Sequence, residues 1–496
     1  MHRCLQLPEL VELMCSYLDV PYHPEIFLDR QPERRDLAVL ARTSSVFSSH
    51  ALRLLWKSVK LVDLLRCLPP DSFNLTTTGE SFWIKYIMEP LRPLRASDWE
   101  RVLVYAPHVK HLVTNSVDLL PIFPENVLPN LQGLHWTQQE NNFQYIDYFL
   151  SSQLTTIHII DTSLAALSLL SSLARRCPQL TNITLFPPIS MGDLQPEIVS
   201  AVSLCVRGLH AIETLITDTV DRPALEHLSR LSSIRHLSLG GVPSTLSALP
   251  RDKALFPSLQ KLCFSSGTES PTRFLEWCNK LRLATFAAKC AAFPTADAVR
   301  RLFSAASRGI SHLPLMEFAI SNEFSILDPW DSANYLIQPQ SLRSLFCFVN
   351  LTSVSILSAV GIDLDDSTVT DMARSWPYIQ CLELQSYYGH VAPRPRATLQ
   401  CLEAFPKYCP HLTTLCLAFD ATVIPTSQAG LSLQCLQALR VEASPISTAL
   451  PVAQFLKRNF PSLRTISTSV EDWGEDAGTG QYEHLWRNVV SLLAGW

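Results

Sequence analysis

The sequence predicts an α/β chain in two parts, a small group of amphipathic helices followed by a long series of strand-and-helix repeats. Three observations predict it. Apolar residues recur at three- and four-residue spacing between residues 7 and 59. From residue 107 onward a six-residue pattern keeps returning: an apolar residue, two variable residues, an apolar residue, one variable residue and an apolar residue. Between the copies lie helical stretches.

The N-terminal part comprises LPELVELMCSYLD (Leu7 to Asp19) and DLAVLARTSSVFSSHALRLLWKSV (Asp36 to Val59). Apolar side chains fall at Leu7, Leu10, Val11, Met14 and Leu18, then at Leu37, Leu40 and Ala41, then at Phe47, Ala51, Leu54 and Leu55, which suits three short helices. Pro8 loses no hydrogen bond in a first turn, and Glu9 faces the positive end of the helix dipole. On periodicity alone these helices read as a cap whose stripe covers the next domain.

The order of the residues says more. A Leu-Pro-Glu-Leu opening, a Tyr-Leu-Asp close to the first helix, a Leu-Ala-x-Leu-Ala second helix with Phe47 six residues on, and a closing Ala-Leu-x-Leu-Leu-Trp together resemble an F-box. More narrowly, they are similar to the F-box proteins that basidiomycete fungi encode in large numbers. The likeness runs from Leu7 to about Leu68 and departs from the common pattern at Val20 to Arg35, an insert with three prolines that lengthens the first interhelical loop. The resemblance implies a three-helix hairpin that docks on the Skp-type adaptor of a cullin-RING ubiquitin ligase while the rest of the chain selects a protein target. Carried over position by position, the adaptor-facing residues are Leu7, Pro8, Leu10, Met14, Leu18, Leu40, Ala41, Phe47, Leu54 and Trp56.

Pro69-Pro70 breaks the chain after this region, so residues 1–68 form the first domain. Residues 69–106 read as a helical linker, with Asp98 capping a helix that carries Trp99, Val102, Leu103 and Ala106. Residues 107–470 hold the repeats: LQGLHW from Leu131, LTTIHI from Leu154, LTNITL from Leu180, IRHLSL from Ile234 and LQKLCF from Leu259. They continue as LMEFAI from Leu315, IQCLEL from Ile379, LTTLCL from Leu412, LQALRV from Leu436 and LRTIST from Leu463. Several come after Cys-Pro or an aromatic and Pro, as at Cys177-Pro178, Phe256-Pro257, Trp376-Pro377, Cys409-Pro410 and Phe460-Pro461. Clear successive copies lie roughly 22 to 33 residues apart, in the range of leucine-rich repeats.

One such unit cannot bury its own core, whereas a stack can. A solenoid with a parallel sheet on its inner face and helices outside is therefore expected, and the Cys-Pro-x-Leu-x-x-Leu-x-Leu form resembles the repeats behind F-boxes in substrate receptors. The Asn or Cys that usually comes after the strand is mostly missing, with Phe186, Gln385 and Ala418 in its neighbourhood, so the solenoid should be irregular. A doubly wound sheet would need glycine-rich switch-point loops and rarely exceeds about ten strands. Lys289 to Gly309 reads as an extra helix and Asn322 to Pro339 as an irregular insert. Residues 471–496 read as an acidic loop and a capping helix over Tyr482 to Leu493.

Composition narrows the function. Over 496 residues the chain is 47% hydrophobic, enough for a continuous core, yet no apolar run reaches the length of a membrane span. A net charge of -5 with scattered Lys and Arg offers no field for nucleic acid. Fourteen cysteines lack the spacing of a disulfide scaffold, and the N-terminus lacks the apolar core of a signal peptide, so a reducing compartment, cytoplasm or nucleus, is expected. With only 15 glycines, phosphate-cradling loops are hard to place.

No catalytic constellation stands out. His108 and His111 have no partner at metal-ligand spacing, and Cys409 and Cys416, near Cys401 and His411, are accounted for by repeat positions. Asp365-Asp366 most simply starts a helix. The reading is of no enzyme, no metal and no cofactor. Binding should lie instead on the inner face, at His135, His158, Asn182, Thr184, His236, Lys261, Glu383, Arg440 and Thr465, with a protein segment as the ligand. The function expected is that of a substrate-recognition subunit of a ubiquitin ligase, partnered by a Skp-type adaptor, a cullin and a target protein. The alternative is a repeat scaffold that never meets the ligase.

Overall fold

The computed structural model describes residues 7–18, 35–78, 85–114, 117–118, 123–124, 127–137, 140–160, 166–185, 196–246, 255–322, 333–388, 392–425, 431–468 and 480–494. These fall into two compact units, the first running to Thr217 and the second starting at Asp218.

The first unit opens with α1 (Pro8–Tyr17), α2 (Arg35–Thr43) and α3 (Ser45–Leu55). Pro8 stands in the first turn of α1, where its missing N–H is no loss. The long apolar stretch from Asp36 breaks at Ser44, whose hydroxyl accepts from the Val46 N–H at 3.3 Å and so caps α3. The hairpin has its own small core of Val11, Cys15, Leu37, Phe47 and Ala51. Most of the proline-containing insert, residues 20–34, lies outside the described residues.

Strand β1 (Ser58–Lys60) and the short helix α4 (Leu61–Leu65) come directly afterwards, so the first strand of the parallel array begins three residues after α3. Residues 69–106 depart from the expected helical linker. They contain β2 (Phe73–Thr78) and β3 (Lys85–Pro90), paired antiparallel, and only then a 3-10 turn (Ala96–Trp99) and α5 (Glu100–Tyr105). Asp98 accepts the Arg95 N–H at 2.7 Å and the Arg92 guanidinium at 2.7 Å, so it caps the 3-10 turn and not α5.

The unit continues with β4 (His111–Thr114), β5 (Val117–Asp118), which pairs with β3, β6 (Gly133–Trp136), β7 (Thr156–Ile159), α6 (Ala166–Arg176), β8 (Asn182–Leu185), α7 (Pro196–Arg207) and β9 (Thr214–Thr217). Strands β1, β4, β6, β7, β8 and β9 pair in that order, all parallel. One apolar residue from each stands in register: Val59, Leu112, Leu134, Ile157, Ile183 and Leu215, all buried.

The second unit holds α8 (Arg222–Leu228), β10 (His236–Leu239), β11 (Lys261–Phe264), α9 (Glu269–Trp277), β12 (Thr285–Cys290), α10 (Ala296–Gly309), β13 (Glu317–Asn322), α11 (Pro339–Arg343) and β14 (Ser353–Ser358). Then come α12 (Asp366–Ser375), β15 (Cys381–Ser386), α13 (Ala404–Tyr408), β16 (Thr414–Cys416), β17 (Ala438–Arg440), α14 (Ala449–Asn459), β18 (Thr465–Ser467) and α15 (Gly480–Ala494). Its nine strands, β10 to β18, are again parallel and in chain order. The in-register residues are Leu237, Leu262, Phe286, Phe318, Val354, Leu382, Leu415, Leu439 and Ile466. Helices pack on their neighbours, α9 on α10, α12 on α13 and α14 on α15.

This is a leucine-rich-repeat architecture of parallel strands and returning helices. All ten expected strand motifs are strands, and among the described residues five further parallel strands accompany them: β1, β4, β9, β12 and β14. The expected extra helix from Lys289 instead begins as the end of β12, and its helical part, α10, starts at Ala296, after the cap Thr295. Of the insert from Asn322, residues 323–332 lie outside the described residues, and Pro339 opens α11. Asp365 caps α12 by accepting the Thr368 N–H at 2.8 Å, in keeping with the helix start expected at Asp365-Asp366.

A second regularity is invisible in the sequence. Two residues before the ladder position of most strands, one carbonyl accepts two N–H groups from the next strand segment: Lys57 O accepts from Lys110 and His111, both at 2.9 Å, and Gln380 O accepts from Thr413 and Thr414 at 2.8 and 3.1 Å. Each such carbonyl satisfies two backbone donors at the point where the next strand begins. Because a large side chain in the ladder has no room to be replaced by solvent, Phe286→Ala is expected to destabilise the second unit by about 3–5 kcal/mol, read as a lower urea midpoint; a midpoint unchanged from wild type would contradict the ladder as the source of stability.

Candidate functional site

Two surfaces take up the expected binding residues. The first is the outer side of α1. Val11 and Cys15 point into the hairpin core, yet Leu7, Leu10, Met14 and Leu18, on the neighbouring stripe, are 51%, 38%, 46% and 39% exposed. Pro8 is also exposed. Leu13, Tyr17 and, on α2, Val39 lie outside the expected set and add to the exposed apolar surface. Thus α1 is apolar on more than the side it buries, whereas a surface helix ordinarily carries one apolar stripe.

The other expected adaptor-facing residues lie elsewhere. Leu40, Ala41 and Leu54 are half-buried against the hairpin core, and Phe47 belongs to that core. Trp56 stacks on Tyr105 of α5 with ring centroids 4.3 Å apart and planes 7° from parallel. It therefore joins the hairpin to the segment behind it. Arg53 of α3 reaches Glu12 of α1 at 3.8 Å, a mostly solvated pair that contributes little.

The second surface is the strand face opposite the apolar ladder. Side chains alternate along a strand, so the residues just before and just after each ladder position share this face. All nine residues expected there do occupy it, in two separate sets. In the first unit His135, His158 and Thr184 come after the ladder and stand next to one another in register, with Asn182 in the row before it. In the second unit His236 and Lys261 are in-register neighbours before the ladder, Glu383 and Arg440 lie after it on either side of Cys416, and Thr465 stands at the last strand. Asn182, Thr184, His236, Glu383 and Arg440 are half-buried; Lys261 and Thr465 are exposed.

Within the first set, the two histidines are in ring contact. His135 and His158 stack with centroids 4.1 Å apart and planes 19° from parallel. Their neighbour His111 lies over Gly133, where any Cβ would collide with its ring. Burial pushes the His135 imidazole down to about 3, with the nearby His158 and His111 adding to the effect, and burial brings His158 down to about 4. Both are therefore neutral near pH 7. In the second set, the Ser355 hydroxyl donates to Glu383 at 3.1 Å and the Thr285 hydroxyl donates to Glu317 at 3.0 Å.

Ser355, Thr285, Glu317 and His111 belong to this face as well, beyond the residues that sequence reasoning places there. A signal for three of their strands is present: Val109-Leu112-Thr114 and Leu351-Val354-Ile356 repeat the same spacing, and Leu283-Phe286-Ala288 does so with a small last residue. Among the described residues no group of three or more His, Cys, Asp or Glu is placed to hold a metal ion, and no helix is long and apolar enough to cross a membrane. The Cys409 thiol donates to the Ala373 carbonyl at 3.3 Å and the Cys416 thiol to Glu442 at 3.0 Å, so the sequence neighbours around His411 do not converge.

Comparison with solved structures returns distant likenesses. An internalin from Listeria monocytogenes is 13% identical, with 89% of this chain and 94% of that chain covered and a TM-score of 0.37. The structure of a TLR13–ssRNA13 complex gives 14% identity, coverage of 77% and 63%, and a TM-score of 0.33. That of the Rad7 and Elc1 complex in yeast gives 11% identity, coverage of 95% and 91%, and a TM-score of 0.30. No protein-family model and no curated protein matches the sequence.

The histidine pair makes the first unit sensitive to acid. Its folded-state values lie below the ordinary value of about 6.5, so the unfolded chain binds protons first as pH falls. Stability from the pair is complete above pH 6.5 and is lost below it, down to about pH 4 for His158 and about pH 3 for His135, at up to about 1.4 kcal/mol per pH unit per histidine. Thermal unfolding followed from pH 7.5 to 5 should show a flatter decline for the double variant His135→Leu, His158→Leu than for wild type; parallel curves would contradict the neutral stacked pair.

Proposed function

We propose that the chain is the substrate-recognition subunit of an SCF-type (Skp–cullin–F-box) ubiquitin ligase. The N-terminal hairpin is the F-box and docks on the Skp-type adaptor; the strand face of the repeats holds a protein target. The observation that carries the reading is the second apolar stripe of α1, Leu7, Leu10, Met14 and Leu18, exposed on a hairpin that has already closed its own core. It coincides with the residue order that resembles an F-box. Leu40, Ala41 and Leu54 pack half-buried against the hairpin core to which Phe47 belongs, and Trp56 ties the hairpin to α5.

The mechanism requires no chemistry from this chain. Binding a target and the ligase at once holds a target lysine near the charged carrier enzyme, raising its effective concentration over free encounter. A polar strand face of half-buried residues suits a protein segment, since each side chain is positioned by its neighbours and still presents donors and acceptors. The function belongs to the cytoplasm or nucleus, and its partners are the adaptor, the cullin and an as yet unidentified target.

Because Leu10 and Met14 face outward, charging them leaves the hairpin core intact. The double variant Leu10→Asp, Met14→Asp is expected to lose co-purification with the Skp-type adaptor and cullin while keeping wild-type circular dichroism. Undiminished recovery of both ligase subunits with the variant, or their absence with the wild-type chain, would return the hairpin to the role of a simple cap on a scaffold.

A further inference from the structure

Within the second unit, beyond the carboxyl ends of β15, β16 and β17, lies a cavity of about 290 Å³. Leu364, Leu384, Leu417 and Trp486 contribute apolar wall, and Glu442 lines it. Glu442 stands two residues past β17 and is 4% exposed. Its φ of 48° is in the left-handed region, which a non-glycine residue occupies only when its surroundings hold it there.

Three neutral donors meet the carboxylate. The Ser386 N–H and hydroxyl reach Oε2 at 3.1 and 2.9 Å, and the Cys416 thiol reaches Oε1 at 3.0 Å. The other charged residues lining the cavity already have ionic partners: Asp363 with Arg396 at 2.7 Å, Arg394 with Asp420 at 2.6 Å and Glu483 with Arg487 at 2.5 Å. Glu442 has no cationic side chain within ion-pair distance among the described residues. A buried carboxylate without counter-charge is costly to retain, and here the space beside it is open.

We infer that this cavity binds a cation carried on a short apolar stem, a primary ammonium or a guanidinium, with Glu442 as its counter-ion and Leu384, Leu417 and Trp486 against the stem. Drug-sized ligands occupy pockets of about 300–1,000 Å³, so this one suits an occupant no larger than a single side chain with its stem. A lysine or arginine of a bound protein carries that chemistry, and so does a free alkylamine. The inference concerns the second unit alone and stands whether or not the hairpin docks on an adaptor.

Ligand-observed NMR titration of the full chain tests it, with n-butylammonium, n-butylguanidinium, 1-butanol and the blocked peptide acetyl-Gly-Lys-Gly-amide as probes. Either small cation should bind at least about tenfold more tightly than the neutral alcohol, and E442Q should remove that difference. Equal affinity for the alcohol and the cations in wild type would overturn the assignment without recourse to any variant, as would undiminished cation binding by folded E442Q. A blocked peptide that matches n-butylammonium assigns the site to a protein side chain; binding confined to the free cations assigns it to a small molecule. Failure of all three cationic probes overturns it.

Discussion

Each strand of the repeats offers one large apolar residue at the same register, and the in-register stacking of those residues is the constraint on which the rest depends. A shift of one residue in any strand would exchange its buried and exposed side chains, so the ladder from Val59 to Leu215, and that from Leu237 to Ile466, also dictates which polar residues face outward. The shared carbonyl acceptors two residues earlier reinforce the register through backbone alone. The ladder does not dictate the chemistry of the positions that flank it, so residues as unlike as Gly133, Lys261 and Glu317 occupy equivalent places. A surface of this kind can vary for binding without disturbing the core beneath it.

The hairpin obeys a different logic. Three short helices enclose only a few residues, with Val11, Cys15, Leu37, Phe47 and Ala51 at their centre, and cores this small are marginal by themselves. Two features attach it to the rest of the first unit: β1 begins three residues after α3, and Trp56 stacks on Tyr105. Supported in this way from one side, the hairpin can leave a second apolar stripe of α1 in solvent. The residues that attach the hairpin are thus distinct from those it leaves exposed.

Polar groups inside the array are the exceptions that invite functional thought. The His135–His158 stack is kept neutral by burial, and the Glu442 carboxylate is held by Ser386 and Cys416 in a strained backbone. Both sit where a neighbouring repeat supplies the contact, one on the strand face and one at the strands' carboxyl ends. Neither is local in sequence: Ser386 and Glu442 are 56 residues apart.

The repeat architecture is legible because stacking imposes a short, strict spacing on apolar residues, and ten strands declare themselves in that way. Strands β12 and β14 are harder to see, the first because Ala288 closes its motif in place of a larger residue, the second although Leu351, Val354 and Ile356 obey the spacing. The antiparallel pair β2 and β3 stands where a helical linker is expected, since short apolar runs satisfy either period until pairing decides. Likewise, the apolar positions of α1 are evident in the sequence, but which stripe is buried depends on where α2 and α3 pack. By itself the sequence determined the periodic features: helix stripes, strand spacing and the face on which variable residues stand. Only the tertiary structure decided which of those residues meet, because contacts such as Trp56 on Tyr105 or Cys416 on Glu442 depend on the stacking of units far apart along the chain, a distance that no local pattern encodes.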